Sequence, residues 1–321
     1  MKKDPKDLMW GVYVYTTDNI APNWCKKQVY DEEVWDFFIE ECPKNGINTI
    51  YLSAMDNIIY PSHPEIALED AWDQERLRKE LDRCYASGMK VIPELNFSSG
   101  HSYWLKEYRR ATSTKVYYQV VKDLLEDAYE LFNHPEYILI SMDEEFYTKD
   151  RLGEDIAIIR KQDLLIHDIR YMVDIIKGLG AIPLVFYDSF RMYPEAFRKE
   201  FSKDDLVMVL WHYLAIRPEH FRLDEENPGK MFEERPWVVR DLRDMELVVK
   251  SDYNLIHMMS WWGKNPYCHM DGMEYIQNNV SEDRLIGYVT TSWMLETKEY
   301  MDEHVTDLRL FTEARKERYG I

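Results

Sequence analysis

Residues 132–145, with the sequence FNHPEYILISMDEE, show how this chain is built. Asn133 and Pro135 end a helical segment, an aliphatic run follows, and three adjacent carboxylates close the stretch. Short aliphatic runs bounded by such breakers are typical of strands that are buried on both faces. Because a carboxylate without a partner is costly to bury, this strand ends either in water or at a site that requires acids.

The same unit recurs along the whole chain. The breakers KNGIN (44–48), ASGMK (86–90) and GLGAIP (178–183) each stand between a helical segment and a strand. Strands are predicted at 9–16, 48–54, 90–97, 137–144, 182–188, 207–214, 253–261 and 285–293. Helices are predicted between and after them at 31–43, 72–87, 115–132, 162–178, 194–201, 236–250, 272–280 and 299–318.

Eight strand–helix pairs predict an α/β fold, a (β/α)₈ TIM barrel formed as a single domain by residues 1–321. A doubly wound open sheet is the other arrangement of alternating strands and helices. It usually carries a glycine-rich first turn, and the segment after the first strand contains no GxGxxG. The repeat therefore favours the barrel.

Composition narrows the range of partners. The 321 residues carry a net charge of −19, with a pI of about 4.9, which argues against nucleic acid and anionic membranes and favours a neutral or cationic ligand. The sequence has neither an apolar run of about 18 residues nor the apolar core of a signal peptide. The four cysteines form no CxxC pair, so we expect reduced thiols and a cytoplasmic protein.

A barrel holds its active site at the carboxyl ends of its strands. These ends are rich in aromatic and acidic residues, a combination typical of carbohydrate sites because sugar C–H faces stack on rings while carboxylates accept hydroxyl protons. The candidates are Glu94, His101, Asp143, Glu144, Glu145, Tyr187, Asp188, Trp211, Tyr213, Trp261, Trp293 and Glu296.

Other kinds of active site find less support. His101, His212, His257 and His269 show no HxH or HExxH spacing, so no metal and no other cofactor is expected. A serine nucleophile would need a GxSxG elbow, and a phosphate loop would need its glycines; the sequence has neither. A carbohydrate partner remains the interpretation that the strand ends favour.

Three motifs resemble family 20 glycoside hydrolases, the β-N-acetylhexosaminidases. VIPELNFSSGHSYW (91–104) is similar to the third-strand signature of that family, and ILISMDEE (138–145) to its fourth-strand ending with an adjacent Asp–Glu pair. TSWMLE (291–296) resembles its eighth-strand Trp-x-x-Glu pattern or a near variant. The three occur in the family's order and span most of the barrel, so the resemblance also implies the barrel fold.

The resemblance implies a mechanism that retains configuration and uses the substrate itself. Glu144 would protonate the glycosidic oxygen, and Asp143 would orient the 2-acetamido group whose carbonyl oxygen attacks the anomeric carbon. The implied binding residues are His101 beside the acid, Trp211 and Trp293 as walls of the acetamido pocket, and Glu296 for sugar hydroxyls. Glu94, Tyr187, Asp188, Tyr213 and Trp261 are the further candidates for substrate binding.

The sequence also departs from the family pattern. The first strand has no arginine, and the seventh ends MMSWWGKNPY without the expected Tyr-x-Asp. Two alternatives therefore stay open: a barrel glycosidase that uses two enzyme carboxylates, such as Glu144 with Glu94, Asp188 or Glu296, and a barrel that binds carbohydrate without catalysis. Glu145 also remains a candidate for the acid.

Overall fold

The computed structural model describes residues 4–18, 25–145, 158–214, 216–217, 220 and 236–321, without the side chains of 236–241. Within these ranges eight strands form one sheet. They are β1 (Met9–Tyr15), β2 (Thr49–Ser53), β3 (Lys90–Pro93), β4 (Tyr137–Leu139), β5 (Ile182–Phe186), β6 (Val207–Trp211), β7 (Leu255–Ser260) and β8 (Leu285–Thr291).

The sheet closes on itself. Its strand order is β3-β2-β1-β8-β7-β6-β5-β4, and the paired strands are parallel. Glu94, directly after β3, forms a parallel bridge with Leu139 of β4, and the Leu95 amide donates to the Leu139 carbonyl at 2.9 Å. The predicted (β/α)₈ barrel is therefore confirmed.

Helices cover the outside of the barrel. They are α1 (Glu32–Lys44), α2 (Gln74–Ala86), α3 (Lys115–Leu131), α4 (Gln162–Leu179), α5 (Asp188–Met192), α6 (Pro194–Glu200), α7 (Pro236–Val249), α8 (Cys268–Asn279) and α9 (Met301–Tyr319). α4 is a typical amphipathic example, because it buries Leu165, Ile169 and Ile176 on one face. Gly180, whose φ is 95°, caps its carboxyl end. None of the described helices combines a membrane-spanning length with a sufficiently apolar sequence.

Alternation along the strands produces two apolar layers. On β1, Tyr13 points into the barrel, whereas Val12 and Val14 belong to the layer between sheet and helices. Gly11 leaves room inside the barrel, since a Cβ there would lie 2.9 Å from the Tyr51 ring. In the described part of the chain the barrel interior is thus a packed core and not a channel, so a ligand is expected at the mouth and not inside the barrel.

The third and fourth strands end four and five residues earlier than the sequence predicts, the largest differences in the barrel. β3 stops at Pro93 and β4 at Leu139, although extended segments were expected over 90–97 and 137–144. After β4 the backbone turns, with φ of 58° at Ser141 and 61° at Met142. Such left-handed conformations are unusual for residues other than glycine. The motifs of the third and fourth units therefore lie mainly on loops at the mouth.

Candidate active site

A cavity of about 410 Å³ opens at the carboxyl ends of the strands. Its wall combines acids, imidazoles and large rings, namely His101, Asp143, Glu144, Phe186, Trp211, His212, Tyr213, Leu214, Trp262 and Trp293. A roomier hollow of about 720 Å³ lies beside Arg318 and Tyr319, but it lacks this combination. The size of the mouth cavity falls in the range of small-ligand sites.

The turn after β4 brings two adjacent acids to this cavity. In a regular strand, Asp143 and Glu144 would point to opposite faces. Positive φ angles at Ser141, Met142 and Glu144 break that alternation. Both side chains reach the mouth, where the Asp143 side chain is 14% exposed and that of Glu144 is 39% exposed.

His101 joins the two acids. Its Nε2 lies 3.4 Å from Oδ2 of Asp143 and 3.2 Å from Oε2 of Glu144. Burial disfavours the charged imidazole, but the two carboxylates outweigh it and raise the pKa of His101 to about 10. The mouth thus holds a protonated imidazole at neutral pH.

Asp143 is held by donors on its second oxygen. Oδ1 accepts a bond of 3.2 Å from the Asn96 side-chain amide and one of 3.1 Å from the Ser98 hydroxyl. Burial would raise the pKa of Asp143, yet His101 and these hydrogen bonds lower it below its ordinary value. Asp143 is therefore a fixed carboxylate, whereas the more exposed Glu144 faces the space where a ligand would lie.

Glu145 points away from the cavity, although it directly follows these acids. Its carboxylate accepts the Ser99 amide at 2.7 Å and the Ser99 hydroxyl at 2.8 Å, and it pairs with Arg160. The side chains of Glu145 and Arg160 are both 0% exposed. The sequence left Glu144 and Glu145 as rival candidates, and only Glu144 lines the cavity.

Aromatic rings form most of the opposite wall. The Trp211 and Tyr213 rings stack 5.5 Å apart, and Tyr187 meets Trp211 edge-on from behind at 5.3 Å. Trp293 packs 5.1 Å from Tyr13 and 6.0 Å from Tyr213. Predicted rings from three strand ends therefore come together, while Tyr187 itself is buried.

Trp262 is a wall residue that the predicted binding set left out, although it stands beside Trp261 at the end of the seventh predicted strand. The sequence singled out its neighbour Trp261, which does not line the cavity and whose amide donates to Asp307 at 2.8 Å. Trp262 instead lines the mouth and is 54% exposed. Two adjacent tryptophans in WWG gave no periodicity to choose between them, because the chain forms a short 3₁₀ turn there.

Asp188 supports the wall from behind. Its carboxylate accepts the Trp211 indole N–H at 2.9 Å and an Arg191 guanidinium N–H at 3.2 Å. Burial and the nearby Asp143 raise the pKa of Asp188 to about 7. Asp188 is fully buried and lies outside the cavity lining.

Two further acids from the predicted set are also buried outside the cavity lining. Glu94 accepts bonds of 2.5 Å from the hydroxyls of Ser53 and Ser141, and burial raises its pKa to about 7. Glu296 accepts the Tyr15 amide at 3.1 Å through Oε1, while its buried Oε2 finds no hydrogen-bond partner among the described residues. Burial raises the pKa of Glu296 well above its ordinary value.

The remaining histidines lie in different surroundings. His212 lines the cavity, and burial lowers its pKa to about 4. His269 bonds to Thr290 at 2.8 Å and lies 3.2 Å from Asp307. Among the residues that the structure describes, no group of three or more His, Cys, Asp or Glu side chains could hold a metal ion.

The sequence matches no protein-family model and none of the curated proteins with which it was compared. Solved structures do match. A β-N-acetylhexosaminidase from Bacteroides fragilis superimposes with a TM-score of 0.65 at 14% identity, over 96% of this chain and 65% of that one. A family 20 β-N-acetylglucosaminidase gives 0.62 at 12%, over 99% and 70%.

Dispersin B superimposes with a TM-score of 0.61 at 12% identity, covering 98% of this chain and all of that one. The chain thus spans 65% of the Bacteroides enzyme but the full length of dispersin B. Superpositions at identities this low establish the architecture but do not assign roles to individual residues. The fold that the motifs implied is confirmed: the chain has the barrel fold of the family 20 β-N-acetylhexosaminidases.

Proposed function

We propose that the protein is a glycoside hydrolase that releases N-acetylhexosamine residues by a retaining, substrate-assisted mechanism. The observation that carries the proposal is the pair of adjacent acids, Asp143 and Glu144, bridged by His101 in an aromatic-walled cavity. The fold shared with β-N-acetylhexosaminidases supports the same class of reaction.

The two acids differ in the way that such a reaction requires. Asp143 is fixed as a carboxylate by His101, Asn96 and Ser98, so it can accept the N–H of a substrate acetamide and orient its carbonyl oxygen. Glu144 is the more exposed acid, which supports its role as the group that protonates a leaving oxygen. The carbonyl oxygen of the acetamide then supplies the nucleophile that the enzyme does not.

The placement of the other acids argues against a two-carboxylate route in which Glu94, Asp188 or Glu296 assists Glu144. A retaining enzyme of that kind needs a second carboxylate about 5 Å from the acid, facing the sugar. In the described part of the chain, Asp143 and Glu144 are the acids that line the cavity. Glu94, Asp188 and Glu296 are each buried outside the cavity lining.

The ring wall fits a sugar. Trp211, Tyr213 and Trp293 present flat apolar faces to the cavity, and the C–H face of a pyranose packs on such faces. A volume of about 410 Å³ accommodates one monosaccharide with its acetamido group.

Chromogenic glycosides test the proposal. We expect hydrolysis of N-acetylglucosaminides or N-acetylgalactosaminides, inhibition by a thiazoline that mimics the cyclised acetamide, and little turnover of glucosides or galactosides. Turnover of only the sugars without an acetamide, unaffected by the thiazoline, would contradict the proposal. Sugar binding without any turnover would instead favour a non-catalytic barrel.

A leaving-group series tests the role of Glu144. Glu144→Gln should lower kcat by about 10²–10⁴-fold on poor leaving groups, because protonation is lost. The loss should be much smaller on dinitrophenyl glycosides, which leave without a proton. Glu75→Gln, which removes an exposed carboxylate in the first turn of α2, is the control and should behave as the native protein.

A further inference from the structure

A fully buried arginine connects the loops that carry the candidate acids. The Arg160 Nε donates to Glu145 at 3.2 Å, and Nη1 donates to Asp168 at 3.2 Å and to the Tyr117 hydroxyl at 3.3 Å. Nη2 donates to the Phe97 carbonyl at 2.6 Å and again to Glu145. These bonds match the five N–H donors of a guanidinium group.

Glu145 extends this network to the loop that bears His101. Its two oxygens accept the amide and the hydroxyl of Ser99, at 2.7 and 2.8 Å. The Arg160 amide donates a further bond to Glu145 at 3.1 Å, the second from a backbone N–H. Ser99 is two residues from His101, and Glu145 is the neighbour of Glu144, so one carboxylate holds both loops.

A buried ion network of this kind is weak evidence for a role in stability alone. Desolvation of the charges offsets most of their attraction, and apolar side chains of equal volume often pack as well. The bonds of Arg160 and Glu145 do, however, have directions, which apolar contacts lack. Since the left-handed backbone at Ser141, Met142 and Glu144 is unfavourable for these residue types, something must hold this turn in place.

We propose that Glu145 and Arg160 are positioning residues, which lock the loops after β3 and β4 together and so fix His101 against Asp143 and Glu144. In this assignment Glu145 transfers no proton. The prediction that Glu145 affects turnover rests on the proposed glycosidase function. Its effect on the contacts of His101 can be measured without any substrate.

The first test combines kinetics with a titration. In Glu145→Gln and Arg160→Lys, we expect kcat to fall by about 10²-fold, the loss typical of a small misplacement of catalytic groups. KM should change much less, since the ring wall is untouched. The ¹³C-labelled His101 ring, followed by NMR, should titrate near pH 10 in the native protein, because Asp143 and Glu144 raise its pKa to about 10. In both variants its midpoint should move toward the ordinary histidine value, because the carboxylates shift away.

A matched serine pair covers the case in which those variants do not fold. Ser99→Ala deletes one hydroxyl bond to Glu145 on the His101 side of the network. Ser113→Ala deletes one hydroxyl bond, of 2.6 Å, to Asp168 on the far side. Ser99→Ala should lower kcat by roughly fivefold, as expected for one lost hydrogen bond, and shift the His101 titration. Ser113→Ala should change neither.

Three results would overturn the proposal. In one, Ser99→Ala and every folded charge variant lower only the melting temperature and leave kcat and the His101 titration at native values. In another, Ser113→Ala shifts the titration as much as Ser99→Ala. In the third, Glu145→Gln loses activity only on poor leaving groups, which would make Glu145 the acid. If the native protein cleaves no N-acetylhexosaminide, the proposed function fails while the titration still decides the positioning role.

Discussion

Replacing His101 by glutamine should alter the pH dependence of folding stability in a defined direction. The carboxylates of Asp143 and Glu144 raise the pKa of His101 to about 10 in the folded protein, against an ordinary value of 6.5. The proton is therefore bound more tightly in the folded chain than in the unfolded chain. Its stabilising effect is complete below pH 6.5 and is lost as the pH rises toward 10.

The size of the effect follows from the two pKa values. The interval from 6.5 to 10 corresponds to roughly 5 kcal/mol of unfolding free energy at low pH. Linkage leaves roughly 1 kcal/mol of it at pH 9, so about 3 kcal/mol disappears between pH 5 and pH 9. The lowered pKa of Asp143 reflects the same ion pair, so the two shifts are not added.

Urea unfolding of the native protein and His101→Gln at pH 5, 7 and 9 measures the change. The unfolding free energy of the native protein minus that of the variant should decrease by about 3 kcal/mol across this range. His269, whose pKa is also raised to about 10, is present in both proteins and cancels. His167→Gln, on the exposed side of α4, is the control. If this free-energy difference stays constant or increases with pH, the ion-pair assignment is refuted.

Other substitutions test the wall and the barrel. Trp262→Ala should leave the melting temperature unchanged, because the ring is 54% exposed, but should raise KM by up to about tenfold if a sugar stacks there; an unchanged KM would contradict this. Trp211→Phe removes the indole bond to Asp188 and should raise KM about fivefold. A fivefold fall in kcat with KM unchanged would argue against a role of this ring in substrate binding. Gly287→Ala would put a Cβ 2.1 Å from the Met9 carbonyl oxygen and should cost about 3 kcal/mol in urea unfolding; a stability equal to the native one would refute the close β1–β8 approach.

The barrel could be predicted because its signal is repeated. Each breaker, aliphatic run and amphipathic segment is weak alone, but eight in succession leave few arrangements of the chain. The residues of the mouth could be predicted from the same pattern, because the carboxyl ends of the parallel strands meet at one end of the barrel. Asp143, Glu144, His101, Trp211 and Trp293 do lie together around the cavity.

The details that the sequence did not indicate depend on backbone turns and long-range partners. Nothing in the sequence ISMDEE specifies positive φ at Ser141 and Met142, so the strand was predicted five residues too long. Glu296 was placed at the mouth by its position after β8, but its carboxylate caps the Tyr15 amide instead. Arg160 was not predicted to be part of the site, because a single arginine before a helix is usually exposed.

Three adjacent carboxylates are tolerable here because each has a different environment. Asp143 faces the imidazole of His101, Glu145 faces the guanidinium of Arg160, and Glu144 has the most contact with solvent of the three. Removing either cation should therefore affect its own acid first. Losing His101 would raise the pKa of Asp143, whereas losing Arg160 would leave Glu145 buried with Ser99 as its main donor. The run of acids thus separates a fixed carboxylate, an exposed candidate proton donor and a buried anchor within three consecutive residues.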